Sequence, residues 1–163
     1  MAGWVRSYDG FMSPVVVRRT AWRASLEGHN VLIRLLEREL QQDVGISLGW
    51  YDVLVHLAEA PKGKLRMNEL ADSLVLSRSW LTRRIDGMER AAIVHRCPAD
   101  DDFRGVCAAL TPEGRTLFRR ASKAHMRSVE RHFSNQLTSR EAQVIEAGFD
   151  RIATLARQAL SAP

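Results

Sequence analysis

Two stretches of helical periodicity lie only two residues apart in the middle of this chain, and a strand–loop–strand pattern follows them directly. The first runs from about Met67 to Leu74 and turns Leu70, Ala71 and Leu74 to one side. The second opens at Ser77, whose hydroxyl suits an N-cap, and continues to about Ala91. Its apolar positions Leu81, Ile85, Met88 and Ala92 step by 4, 3 and 4 residues and define an inward face. Leu76 and Leu81 are spaced as a hydrophobic staple, which fixes the angle at which the chain enters the helix. Ile93–Arg96 and, more loosely, Val106–Leu110 alternate apolar and polar residues around a loop-forming stretch, Pro98 to Gly105. The two helices are joined by a tight turn, and the strands read as a hairpin with a long tip.

The flanks are helical. Residues 1–14 read as a flexible leader. From about Val17 to Asp43, Leu26, Ile33, Leu36 and Leu40 recur at helical spacings. At 1.5 Å per residue that helix spans about 40 Å, a length that calls for a partner helix. Gly45 stops it, Ser47 caps a second helix reaching Ala60, and Pro61, Lys62 and Gly63 break the chain. Thr111 and Pro112 start a helix to about Asn135. Thr138 and Glu141 fit a capping box for a last helix that carries Val144, Ile145, Phe149, Ile152, Leu155 and Leu160. The expected fold is mainly α (α+β): a winged helix-turn-helix with a two-stranded β wing and long N- and C-terminal helices, to which the family resemblance named below gives the dimerisation role. The expected division is a leader at 1–14, N-terminal helices at 15–60, a winged core at 61–111 and C-terminal helices at 112–163.

Composition removes several classes. The 163 residues are 45% hydrophobic and 26% charged, ordinary values for a folded domain. No apolar run approaches the roughly 18 residues of a membrane span. The first residues lack the apolar centre of a secretory signal. Two cysteines make no disulfide framework, so a cytoplasmic location is expected. There is no glycine-rich phosphate loop, nucleophile elbow, Cys-x-x-Cys or His-Glu-x-x-His, and Asp100-Asp101-Asp102 lacks a wider ligand set. Neither an enzyme, nor a cofactor, nor a resident metal is expected.

Charge is placed unevenly. The net charge is +5, yet residues 39–61 carry four acids and no Lys or Arg, whereas residues 62–96 carry eight bases against four acids. The basic excess therefore falls on the helix-turn-helix, where an anionic partner would sit. A recognition helix must bury one face and offer polar side chains from its N-terminal half to a major groove about 12 Å wide. With Leu81 inward, Ser79 and Arg83 point almost oppositely, with Thr82 and Trp80 flanking, and Arg78 sits in the first turn beside the positive helix end. Arg78, Ser79, Thr82 and Arg83 are assigned to the groove, with Arg83 aimed at guanine O6 and N7. Ser77 and Arg84 are assigned to phosphates, which position a protein without specifying sequence.

The residues Leu70-Ala71, Leu76-Ser77-Arg78-Ser79, Leu81-Thr82-Arg83, Ile85-Asp86-Gly87-Met88-Glu89, Asp102-Phe103-Arg104 and Leu110-Thr111-Pro112-Glu113-Gly114 together resemble the MarR family of bacterial transcriptional regulators. The resemblance runs over about residues 20–158 in element order, and its specific part lies in residues 66–115. It implies a homodimer held by the first and the last two helices, a palindromic double-stranded operator, and repression relieved by a small phenolic or lipophilic effector. It also implies that Arg104 enters a minor groove while Asp102 positions the basic groups by ion pairing. A groove beside Trp22, His29, Trp50, Tyr51 and His56 would hold the aromatic effector. The chain departs from the family pattern at several places. Arg66 replaces a hydroxyl cap, Val75 replaces a common glycine, Arg84 replaces an aliphatic residue, and Asp100 and Asp101 add negative charge to the wing. An alternative reading makes the protein a redox- or metal-responsive sensor acting through Cys97 and Cys107, which flank the wing loop, or through histidines such as His125 and His132.

Overall fold

The computed structural model describes residues 13–99 and 105–162. Among these residues six α-helices and three strands follow in the order α1 (Pro14–Val44), α2 (Leu48–Glu59), β1 (Lys64–Arg66), α3 (Met67–Ser73), α4 (Arg78–Arg90), β2 (Val94–Pro98), β3 (Val106–Leu110), α5 (Pro112–His132) and α6 (Ser139–Ser161). The chain divides into two compact units, one up to Leu35 and one from Leu36 onward.

The first unit is the N-terminal part of α1. It starts at Pro14, earlier than the Val17 expected, because proline is well suited to the first helical turn, where its missing N–H costs nothing. Pro14 thus belongs to the helix and not to a leader; residues 1–12 lie outside the described part. Val15, Val16, Val17, Trp22, Leu26 and Ile33 are exposed on this segment.

The second unit holds the core. Gly45, at φ +82°, ends α1 in the left-handed region where glycine carries no steric penalty. Glu37 accepts the Leu48 N–H at 2.6 Å, and Ser47 caps α2 by accepting the Trp50 N–H at 3.2 Å. Leu54, Leu57, Leu70, Ile85, Met88 and Ala108 are buried together, so α2, α3, α4 and the sheet share one core. Leu81, Ile85 and Met88 are the buried face of α4, as their spacing requires. Ala92 is not part of it. It lies beyond the helix end, exposed, at φ +56°.

The sheet has three antiparallel strands in the order β1-β3-β2. The hairpin of β2 and β3 was expected; β1, which pairs Lys64 with Ala109 and Arg66 with Cys107, was not. Three residues cannot display a two-residue period, so nothing in Lys64-Leu65-Arg66 separates strand from loop. Thr111 caps α5, accepting the Gly114 N–H at 2.9 Å and donating its own hydroxyl to Ala92 O at 2.8 Å. Gly114 seats that helix against the residue that leads into β2: a Cβ built there would stand 2.0 Å from Ile93 O.

Candidate nucleic-acid interface

Helix α4 presents its N-terminal half to solvent. Ser77 Oγ accepts the Trp80 N–H at 3.4 Å and lies 3.2 Å from Ser79 Oγ, and Thr82 Oγ1 donates to Arg78 O at 2.9 Å. Ser77, Arg78, Ser79, Thr82 and Arg83 are all exposed; Ser79 and Arg83 point away from the buried Leu81, Ile85 and Met88, while Arg78 and Thr82 border that face. Arg78 and Arg83 make no ion pair with any described residue. Their guanidinium groups are turned outward and available to an anion. A concavity of about 280 Å³ runs between Met67 and Asn68 at the start of α3, Arg78, Leu81 and Thr82 on α4, and Arg96 and Val106 on the sheet.

Trp80, which the helical wheel places on the flank and the groove assignment leaves out, is also a member of this surface. It is 62% exposed on the first turn of α4. Asn68 is another, exposed and lining the same concavity. The signal for Trp80 was its neighbourhood to Leu81, since adjacent helical positions cannot both face inward when the stripe is narrow.

Arg84 behaves differently from its neighbours. It is half-buried, and its guanidinium lies over the first turn of α2, where a Cβ built on Gly49 would stand 2.7 Å from Arg84 Cζ. Here the residue that replaces an aliphatic side chain does so by folding its length onto α2, which is how a long cationic stem covers backbone.

Arg96 is engaged by two acids of α4. Its Nη2 donates to Asp86 Oδ1 at 2.6 Å, its Nη1 donates to Glu89, and its backbone N–H donates to Glu89 Oε1 at 3.0 Å. Partial burial works against the Arg96 charge, but the two carboxylates outweigh it and its pKa is raised. The first wing strand is thereby fastened to the second half of α4. Asp100, Asp101, Asp102 and Arg104 lie outside the described residues.

The aromatic residues divide between the two units. Trp22 and His29 are exposed on the first. Tyr51 is buried in the second, its ring 4.6 Å from that of His125 and 6.4 Å from that of Phe118. Trp50 rests on Gly87 of α4, where a built Cβ would stand 3.2 Å from Trp50 Cζ2. His56 Nδ1 lies 2.8 Å from Asp52 O within its own helix. His132 is engaged by Glu39, at 2.8 Å between Nε2 and Oε1. Among the described residues no three His, Cys, Asp or Glu side chains converge as metal ligands, and no helix is long and apolar enough to cross a membrane.

A model of the MarR family matches residues 44–105, which run from the last residue of α1 through β2 to the residue before β3. The crystal structure of AbsC, a MarR family transcriptional regulator from Streptomyces coelicolor, is 31% identical with a TM-score of 0.82, covering 92% of this chain and 99% of that one. The chain belongs to the MarR family. A second MarR family transcriptional regulator from Streptomyces coelicolor, Sco3205, solved in complex with DNA, is 30% identical with a TM-score of 0.80, and 91% of each chain is covered. The HTH-type transcriptional regulator PecS of Dickeya dadantii (strain 3937) is 27% identical over 143 residues, 86% of this chain and 82% of that protein. As a MarR-type transcriptional regulator, the protein carries the helix-turn-helix in α3 and α4 and the wing in β2 and β3. Its third strand, β1, ties that wing to the start of α3.

Proposed function

We propose that this MarR-type regulator is a homodimeric repressor that binds a palindromic operator in double-stranded DNA, with α4 of each copy in a major groove. The observation that carries the proposal is the pair of exposed guanidinium groups at Arg78 and Arg83, which make no ion pair with any described residue and stand with Ser79 and Thr82 on the N-terminal half of a helix that buries Leu81, Ile85 and Met88. Arg83 reads guanine, Arg78, Ser79 and Thr82 line the groove, and Ser77 meets a phosphate. Arg84, drawn onto α2, is left with structural duty. Asp102 and Arg104 keep the wing roles that the family resemblance gives them. That Sco3205, 30% identical, was solved in complex with DNA supports DNA as the partner.

The dimer is supported by apolar side chains left uncovered on α6, Val144, Phe149, Ile152, Leu155 and Leu160, and on the N-terminal part of α1. Exposed apolar surface of this extent marks an interaction face. Two copies would set their recognition helices about 34 Å apart, one turn of DNA.

The effector part of the proposal centres on Tyr51 and His125. His125 Nδ1 is buried without a hydrogen-bond partner among the described residues, and burial lowers the His125 pKa against the opposing charge of Asp52. A neutral imidazole with an idle nitrogen beside a phenol ring suits a small aromatic ligand with one polar group. Displacement there would reach α4 through Trp50, which rests on Gly87. Such a ligand acts only if it prefers one arrangement of α4 over another.

Selection of bound fragments from random duplex DNA, combined with the mass of the complex, tests the proposal. Enrichment of an inverted repeat occupied by two chains is expected. Enrichment of nothing, or of single half-sites bound by one chain, would overturn it.

A further inference from the structure

We propose that Cys97 and Cys107 form a reversible thiol–disulfide site in the wing hairpin, closed by a hydroperoxide, which lowers DNA affinity when oxidised; the last clause rests on the DNA-binding reading above. Both residues are in the thiol form, and they are direct register partners across β2 and β3. Directly opposite residues of an antiparallel pair project from the same face of the sheet. The ladder also fixes what kind of pair they are. Thr111 N–H donates to Ile93 O at 3.2 Å and Ala99 N–H donates to Gly105 O at 2.9 Å. These pairs lie four and two residues along β2 from Cys97, so Cys97 and Cys107 share their hydrogen-bonded alternation. Such a pair has its Cα atoms about 5.5 Å apart, inside the range that disulfides span.

The Cβ atoms of such a pair stand roughly 5 Å apart, whereas a disulfide needs about 3.8 Å. Closing the bridge therefore pulls the two strands out of regular pairing. A bridge formed under that tension is readily reduced, which makes it reversible. The two thiols differ in access. Cys97 is half-buried and can meet an oxidant, while Cys107 is 4% exposed and suits the resolving role. The chemistry balances with one hydroperoxide per bridge. The Cys97 thiolate attacks the peroxide oxygen, an S–O bond forms as the O–O bond breaks, and an alcohol or water leaves. The Cys107 thiolate then attacks the Cys97 sulfenic acid, the S–S bond forms, and the hydroxyl departs as water. Two thiols are oxidised, one peroxide is reduced, and no further reagent is needed.

The consequence for DNA comes from the neighbouring residue. Arg96 precedes Cys97 and holds Asp86 and Glu89 on α4. A twist of β2 at Cys97 pulls on that clamp, and through it on the recognition helix.

The experiment treats the full chain with hydrogen peroxide near stoichiometry, maps peptides without reductant, and titrates operator before and after. Expected are a Cys97–Cys107 peptide within one chain, its reversal by dithiothreitol, and a loss of affinity within the roughly 5–150-fold typical of coupled sites. Cys97→Ser should keep its affinity under peroxide. Cys107→Ser should stop at a Cys97 sulfenic acid that dimedone traps. Unreacted thiols, irreversible sulfinic acid at Cys97, or a bridge between two chains would overturn the site. A closed bridge with unchanged affinity would overturn its regulatory role. If the reduced protein binds no DNA, the DNA reading fails, while the linked peptide still decides the chemistry.

Discussion

Arg96 on β2 and Asp86 on α4 meet at 2.6 Å, and the same guanidinium also takes Glu89 one turn further along the helix. The wing's first strand is therefore fixed to the recognition helix by one side chain with two carboxylates. Removing it leaves two acids facing each other on the helix with no cation between them. Arg96→Ala should cost about 1 kcal/mol, since the three side chains are partly exposed and solvent screens them. DNA affinity should fall by more than stability accounts for, because α4 loses its register with the wing. Urea unfolding and operator titration on the same variant separate the two effects.

Val75 sits at φ +54° in the turn between α3 and α4. Leu76 N–H donates to Ala71 O at 3.0 Å and Val75 N–H donates to Asp72 O at 3.2 Å, the paired bonds of a Schellman cap with Val75 in its left-handed position. A β-branched residue there carries a steric penalty of about 1–2 kcal/mol. Its side chain is 86% exposed and contributes almost nothing to packing. Val75→Gly should raise the midpoint of thermal unfolding, offset only in part by the entropy of a more flexible unfolded chain. A lowered midpoint would mean that the turn is not held in this conformation.

Gly114 is the opposite case. A methyl group there would stand 2.0 Å from Ile93 O, a backbone atom that cannot rotate away. Gly114→Ala should destabilise by about 3 kcal/mol or more, as overpacking against main chain does. Guanidinium unfolding should show it as a lowered midpoint with an unchanged slope.

Glu39 links α1 to α5. Ser128 donates a hydroxyl to its Oε2 at 2.6 Å and His132 lies 2.8 Å from its Oε1. The Ser128 bond first, and then the His132 bond, lower the Glu39 pKa below its ordinary 4.5. A depressed carboxylate pKa adds stability that is fully present above the unfolded value and is lost as pH falls through the folded one. Stability should therefore decline as pH drops below about 4.5, and Glu39→Gln should flatten that part of the profile. Thermal melts between neutral and acidic pH decide the point, and parallel profiles for both proteins would contradict it.

Periodicity and punctuation carried most of the fold. Leu81, Ile85 and Met88 announce a buried face, and Ser47, Ser77, Thr111 and Thr138 cap the helices their positions predict. β1 was illegible because three residues hold no period. Ala92 was misassigned because it continues the 4, 3, 4 spacing of α4 by one step after the backbone has already turned left-handed. Spacing records direction only while the helix lasts. At the interface, the exposure of Ser79, Thr82 and Arg83 followed from the helical wheel, and that of Arg78 from its place in the first turn. The roles of Arg84 and Arg96 did not, because a long side chain's endpoint depends on what lies across the fold: Gly49 for one, Asp86 and Glu89 for the other.

The salt dependence of operator binding, compared between the parent protein and Arg83→Ala, tests the role of α4 most directly. For the parent, log affinity should fall linearly with log salt, at about −0.9 per phosphate neutralised. Arg83→Ala should keep nearly that slope while losing about 1–3 kcal/mol at one base pair and tolerating substitutions there. Equal affinity and equal base preference in the two proteins would contradict the placement of Arg83 in the groove.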